Sequence, residues 1–169
     1  MPVITHLGAG GILWIAVAAA LLCVRKYRKN GCMLAVSLLL CLLIGNLLLK
    51  PLIGRVRPYD VNTLIELLIA ELSDASFPSG HTMAAFAAAT VLLYTNRRFG
   101  IPAVILAVLI GFSRLYLYVH YPSDVLAGLL LGVLFGILAI ALVNWLWRRL
   151  RRQEAPVADP PPAEGGGQP

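Results

Sequence analysis

The chain has 169 residues, 59% of them hydrophobic and 13% charged, with a formal net charge of +6. That charged share is about half the usual globular value, which excludes an ordinary water-soluble domain. The excess of basic residues does not form a nucleic-acid-binding stripe either, because Lys and Arg sit in short clusters at the ends of apolar runs, the pattern that sets membrane topology.

In chain order, the hydropathy pattern predicts a first span over about 8–24, closed by the basic run Arg25-Lys26-Tyr27-Arg28-Lys29. The N-terminus lacks a basic region ahead of this run, so a cleavable leader is not expected. A second span, about 32–49, runs into Lys50, and a mixed stretch over 50–78 follows with Arg55, Arg57, Asp60, Glu66, Glu71 and Asp74. Within it, 61–72 reads as a short interfacial helix, too short to cross a bilayer core about 30 Å thick. Further spans are expected over about 79–95, 101–119 and 123–146, the last ending at Trp145 and Trp147 beside Arg148, Arg149, Arg151 and Arg152, an interfacial anchor. The fold class is therefore an all-α polytopic membrane bundle of about five transmembrane helices. Residues 1–152 form one domain, and 153–169, rich in Pro, Gly and Ala, read as a disordered tail.

Ten of the fourteen basic residues fall in 25–29, 97–98 and 148–152, on one side of a five-span bundle. The positive-inside rule places that side and the tail in the cytoplasm, and the N-terminus outside. Lys50, Arg55, Arg57 and Arg114 are left on the outer face, where topology does not account for them. Cys23, Cys32 and Cys41 lie in or beside the first two spans and read as small packing residues. His6 reads as an interfacial residue, and Asn46, one turn before Lys50, as a partner in an interhelical hydrogen bond.

Three outer-face segments carry candidate chemistry. They are Lys50-Pro-Leu-Ile-Gly-Arg-Val-Arg57-Pro58, Pro78-Ser79-Gly80-His81, and Ser113-Arg114-Leu-Tyr-Leu-Tyr-Val-His120-Tyr-Pro-Ser-Asp124. Singly, each also has a structural explanation: basic side chains snorkel at helix ends, Ser79 is a natural N-cap, and Asp124 could merely cap the last span. Together they suit one task. Lys50, Arg57 and Arg114 supply three cations for phosphate oxygens. Ser79 and Gly80, opening a helix, offer backbone N–H groups and its positive end. Two histidines suffice for phosphoryl transfer, one attacking phosphorus and one protonating the departing oxygen. Asp124, four residues after His120, is near enough to fix one of its ring nitrogens as N–H. No metal-ligand cluster is present, so neither metal nor other cofactor is expected. The stripe Gly128, Gly132, Gly136, with Ala84, Ala85, Ala88 and Ala89 after His81, predicts close contact between the third and fifth spans.

Lys, six residues, Arg-Pro; then Pro-Ser-Gly-His; then Ser-Arg, five residues, His, three residues, Asp: this order and spacing resembles the three-part signature of the type 2 phosphatidic acid phosphatase superfamily, over roughly 32–147. The resemblance implies that His120 is a nucleophile forming a phosphohistidine and His81 a general acid. Asp124 would orient His120, while Lys50, Arg57, Ser79, Gly80 and Arg114 would bind phosphate. Many six-span members carry a further N-terminal helix, whereas only seven residues precede the first span here. The implied function is a metal-independent, plasma-membrane lipid phosphatase with its site on the extracytoplasmic face, acting on a lipid (pyro)phosphate. Undecaprenyl diphosphate is the first choice, with phosphatidylglycerophosphate or phosphatidate as the alternative. A transporter or structural membrane protein is the remaining class; it would place charges near the midplane and show internal repeats, whereas these charges lie at span ends and no repeat is visible. Tyr116 and Tyr118 carry no expectation.

Overall fold

The computed structural model describes residues 11–62 and 72–153. Those residues form an all-helical bundle with no strand among them. α1 (Ile12–Cys23) is joined by a tight turn, Arg25–Tyr27, to α2 (Arg28–Leu40). The rod continues without a break through a π-wound segment, Cys41–Leu49, into α3 (Lys50–Ile53). Gly54, at φ 58°, then stops it, its N–H donating to the Lys50 carbonyl at 2.9 Å; only glycine takes this left-handed end without strain. A single turn, α4 (Pro58–Val61), begins at Arg57-Pro58, where proline presets the first helical residue. α5 (Gly80–Thr95), α6 (Arg97–Tyr116) and α7 (Pro122–Gln153) complete the bundle.

Three stretches are long and apolar enough to cross a membrane, Arg25–Val61, Arg97–Tyr116 and Pro122–Arg152. The other two expected spans are shorter helices, α1 with 12 residues and α5 with 16. Residues 8–10 of the first expected span, most of the interfacial helix expected over 61–72, His6, and the tail beyond Gln153 lie outside the described residues. Leu39, Leu42, Leu43, Leu47 and Leu48 are exposed along one rod, as are Leu126, Leu130 and Leu134 on α7. Such continuous apolar exposure suits hydrocarbon and not water.

α5 is the central helix, packed on α2, α6 and α7. Its faces divide the work. Ala85, Ala88 and Ala89 are buried in the main core with Trp14, Met33, Leu34, Ala103 and Ala107, so these alanines serve α1, α2 and α6. The glycine stripe of α7 meets a different face of α5. A Cβ on Gly128 would stand 2.7 Å from the Ser79 carbonyl oxygen, one on Gly136 would stand 2.7 Å from Thr90 Cβ, and one on Gly132 would strike the Met83 carbonyl. The expected approach of these two spans is therefore present, but the glycines meet Ser79, Met83, Ala87 and Thr90, not the four alanines read from the sequence. Close contact at glycine lets two backbones touch where side chains would hold them apart.

The basic ends gather at the far end of the bundle. Tyr27 meets Phe99 edge to face at 5.9 Å, Asn30 donates to Thr95 Oγ1 at 2.9 Å, and Asn144 donates to the Tyr94 hydroxyl at 3.2 Å. The Lys50, Arg57 and His120 segments lie at the opposite end.

Because the atoms facing Gly128 and Gly132 are backbone, a larger side chain cannot be absorbed by rotamer change. Gly132→Leu is expected to destabilise by about 1–3 kcal/mol, the usual cost of overpacking, read as a lowered thermal midpoint in detergent. Leu130→Ala, on the exposed face, should leave the midpoint nearly unchanged.

Candidate active site

The three motifs meet at the end of the bundle opposite the basic clusters. The last turn of the rod supplies Lys50, and the connection after Gly54 supplies Arg55 and Arg57. The loop before α5 supplies Asp74, Ser76 and Ser79, and the first turn of α5 supplies His81. Past α6, Leu117 and Tyr118 close a reverse turn on Ser113 and Leu115, donating at 3.0 Å each. Tyr118 adopts φ 56°, a left-handed conformation uncommon for a residue with a side chain. This turn sends the chain back over the bundle, burying Val119 and His120 before α7 starts at Pro122.

Arg57 is 2% exposed and has a partner on every nitrogen: Nε donates to the Asp74 carbonyl at 2.8 Å, Nη1 to the Val119 carbonyl at 2.8 Å, and Nη2 to Asp74 Oδ1 at 2.5 Å. Lys50 pairs with the other oxygen of the same carboxylate, Asp74 Oδ2. Asp74 thus presents an anion to two of the three motif cations, a partner not anticipated in the sequence. Burial pushes this half-exposed carboxyl up, but hydrogen bonds and charge from Lys50 and then Arg57 outweigh it and hold it below the ordinary carboxylate range. Tyr59 ties the same loop down, its hydroxyl donating to the Leu72 carbonyl at 2.9 Å and accepting from the Leu72 N–H at 3.0 Å.

Arg114 is different. It is 1% exposed, and its Nε and Nη2 have no hydrogen-bond partner among the described residues. Its charge reaches His81, whose other charged or titratable neighbours are His120, Lys50 and Asp74. A buried guanidinium with two unused donors is costly unless an anion meets it.

His120 and Asp124 form the second cluster. His120 Nδ1 lies 3.6 Å from Asp124 Oδ2 and 3.4 Å from Ser76 Oγ. Ser76 donates to Asp124 Oδ2 at 2.5 Å, and the Tyr121 N–H donates to the same oxygen at 2.9 Å. Arg55 Nη1 donates to Asp124 Oδ1 at 2.6 Å and to Ser123 Oγ at 2.7 Å. Burial lowers the His120 pKa; the nearby Asp124 carboxylate raises it and the Arg57 charge lowers it again, leaving it below the ordinary histidine value. Its Nδ1 faces Ser76 Oγ and Asp124 Oδ2.

Two expectations change in detail. The Ser79 N–H is not unpaired, since it donates to the Asp124 carbonyl at 3.1 Å, and its hydroxyl pairs with Thr82 Oγ1 at 3.0 Å without capping α5. Ser79 therefore joins the α5 start to the α7 start. Among the described residues, Asn46 makes no interhelical hydrogen bond through its buried Oδ1, which has no partner there. That oxygen lies where a Cβ on Gly80 would come within 2.7 Å, so a larger residue at 80 would have to displace the Asn46 side chain. Asp74, Ser76 and Arg55 were the residues missed. Among the described residues no three His, Cys, Asp or Glu side chains cluster so as to hold a metal ion.

A cavity of about 530 Å³ opens from this site, with Asn46, Lys50, Asp74, Gly80 and His81 at its polar end. Ile15 and Ala18 of α1 and Leu38, Leu39 and Leu42 of the rod form its apolar wall.

Fold and site together define a helical membrane protein with a cationic, histidine-bearing pocket at one end of its bundle. A family model described as the PAP2 superfamily matches residues 30–148. The chain belongs to the PAP2 superfamily. It is 35% identical over 131 residues to an undecaprenyl-diphosphatase of Sulfolobus acidocaldarius, covering 77% of this chain and 63% of that protein. It is 38% identical to phosphatidylglycerophosphatase B of Bacillus subtilis, covering 79% of this chain and 69% of that one. The crystal structure of a transmembrane PAP2 type phosphatidylglycerolphosphate phosphatase from Bacillus subtilis superposes with a TM-score of 0.68 at 32% identity, covering 90% of this chain and 77% of that chain. The chain thus spans about two thirds of the length of the first two relatives.

Asp74 gives a pH test. Its folded pKa lies below the unfolded value of about 3.9, so its contribution to stability is complete above that value and is lost as pH falls through the lower folded value. The wild-type thermal midpoint should drop as pH falls below about 4; Asp74→Asn should start lower at pH 7 and lose that part of the dependence.

Proposed function

We propose that this protein is a lipid phosphatase that removes phosphate from a membrane-held lipid phosphate or diphosphate through a phosphohistidine on His120. The observation that carries the reading is Arg114, buried with two donor nitrogens unpaired among the described residues and its charge acting on His81, which lines the polar end of an apolar cavity. An anion with a greasy tail satisfies both parts.

His120 Nε2 attacks phosphorus, forming a P–N bond as the bond to the leaving oxygen breaks. His81 supplies the proton that oxygen needs. Water then attacks the phosphohistidine, giving its proton to His81 and freeing His120 as inorganic phosphate leaves. Asp124 keeps Nδ1 protonated, so the attacking lone pair stays on Nε2. Lys50, Arg57 and Arg114 hold the equatorial oxygens and offset the charge that builds there, with Gly80 allowing close backbone approach. Ser79 contributes by holding the α5 start against α7. A phosphate oxygen that takes Lys50 and Arg57 must displace the Asp74 carboxylate. No step requires a metal ion.

Undecaprenyl diphosphate is the favoured substrate, supported by the relative of that activity; phosphatidylglycerophosphate is the alternative, supported by the Bacillus subtilis relative and crystal structure of that activity. We place the protein in the plasma membrane with its site outside, because ten of fourteen basic residues gather at the other end.

Phosphate release by detergent-solubilised protein from undecaprenyl diphosphate, phosphatidylglycerophosphate and phosphatidate tests the reading. His120→Ala should abolish release, and His81→Ala should slow it by about 10²–10⁴-fold. EDTA should have no effect. Unchanged turnover in His120→Ala, or strict dependence on an added divalent ion, would sink this mechanism.

A further inference from the structure

Three donors converge on the Asp124 carboxylate, and the two that are side chains, Arg55 and Ser76, come from outside the motif positions. Arg55 and Ser76 are joined through the backbone, the Ser76 N–H donating to the Arg55 carbonyl at 2.8 Å. From that joint their side chains take opposite oxygens of one buried carboxylate, Arg55 on Oδ1 at 2.6 Å and Ser76 on Oδ2 at 2.5 Å. The Arg55 guanidinium is also fixed in plane, lying 4.1 Å over the Tyr121 ring while it donates to Ser123. We propose that Arg55 and Ser76 are positioning residues for phosphoryl transfer, acting on His120 through Asp124; this rests on the reading of His120 as the nucleophile.

The geometry separates two roles. At 3.6 Å, Asp124 Oδ2 is too far from His120 Nδ1 for a good direct hydrogen bond. Ser76 Oγ is nearer, at 3.4 Å, and because it gives its own proton to Asp124 it is left to accept from Nδ1 when that nitrogen is protonated. Ser76 therefore links ring and carboxylate. Arg55 acts on charge. By neutralising Oδ1 it limits how strongly Asp124 favours the imidazolium, so the ring stays unprotonated at lower pH. The other charged or titratable groups acting on His120 are Lys50 and Arg57, from the rod and its connection, and His81 from α5. All three remain when Arg55 is replaced.

Removing Arg55 should thus raise the pH below which His120 is protonated, since a neighbouring positive charge is lost. The test uses purified full-length protein in detergent with farnesyl diphosphate and dioctanoyl phosphatidate as probes. With Arg55→Gln the acid limb of kcat/KM should move up by about one pH unit, whereas Arg55→Lys, which keeps the charge, should leave the limb in place. Ser76→Ala should lower kcat by about 10²-fold, the usual cost of about 1 Å of misplacement, with KM little changed. Arg55→Gln added to Asp124→Asn should have no further effect, because residues acting in one chain are not additive. An unmoved or lowered limb in Arg55→Gln, or full additivity with Asp124→Asn, overturns this inference while the phosphohistidine reading stands. No release from either probe by wild type, or release that survives His120→Ala, overturns that reading and this one with it.

Discussion

A guanidinium withdrawn from water must be met by acceptors or by an anion, and two of them are withdrawn here, Arg57 and Arg114. Arg57 is met by the Asp74 carboxylate and by two backbone carbonyls, which fixes the loop before α5 and the turn before α7 against the end of the rod. Arg114, on α6, keeps two nitrogens without partners among the described residues. The rest of the site is arranged around this asymmetry. One arginine is fully engaged and holds three segments in register; the other keeps its hydrogen-bonding capacity. A bundle built for stability alone would have satisfied or removed both.

The bundle makes that arrangement rigid. α5 carries His81 and α7 carries Asp124, and the two helices are joined at the site by the Ser79 N–H to Asp124 carbonyl bond and below it by the glycine contacts. The same first turn of α7 receives Arg55, Ser76 and the Tyr121 N–H. Both histidines are therefore referred to one backbone joint, which limits the freedom of the groups between them.

Much of this was legible in the sequence. Apolar runs bounded by basic clusters gave the membrane bundle, and the spacing of Lys50, Arg57, His81, Arg114, His120 and Asp124 marked the residues that gather at one end. The packing partners of Gly128–Gly136 were less legible, because helical period places alanines on a face without saying which neighbour takes it. Asp74 was hidden among Asp60, Glu66 and Glu71, since which acidic residue folds back depends on the course of a loop and not on any period. Arg55 had a usable signal. In an extended connection after Gly54, residues two apart share a face, so a residue two before Arg57 points the same way. Ser76, two residues before Pro78, had no comparable signal; its part depends on Asp124, which is distant in the chain.

The length of α7 fixes the depth at which the site operates. Twenty-four residues separate Asp124 from Arg148, about 36 Å of helix at 1.5 Å per residue, slightly more than the hydrocarbon thickness of about 30 Å. With the Arg148–Arg152 end among headgroups beside Trp145 and Trp147, Asp124 would stand at the level of the opposite headgroups. The helix would then be a ruler between two phosphate layers. On the proposed reading, a lipid would present its phosphate to His120 at its resting depth, without lifting its chain from the bilayer, and substrate and product would exchange sideways within the leaflet.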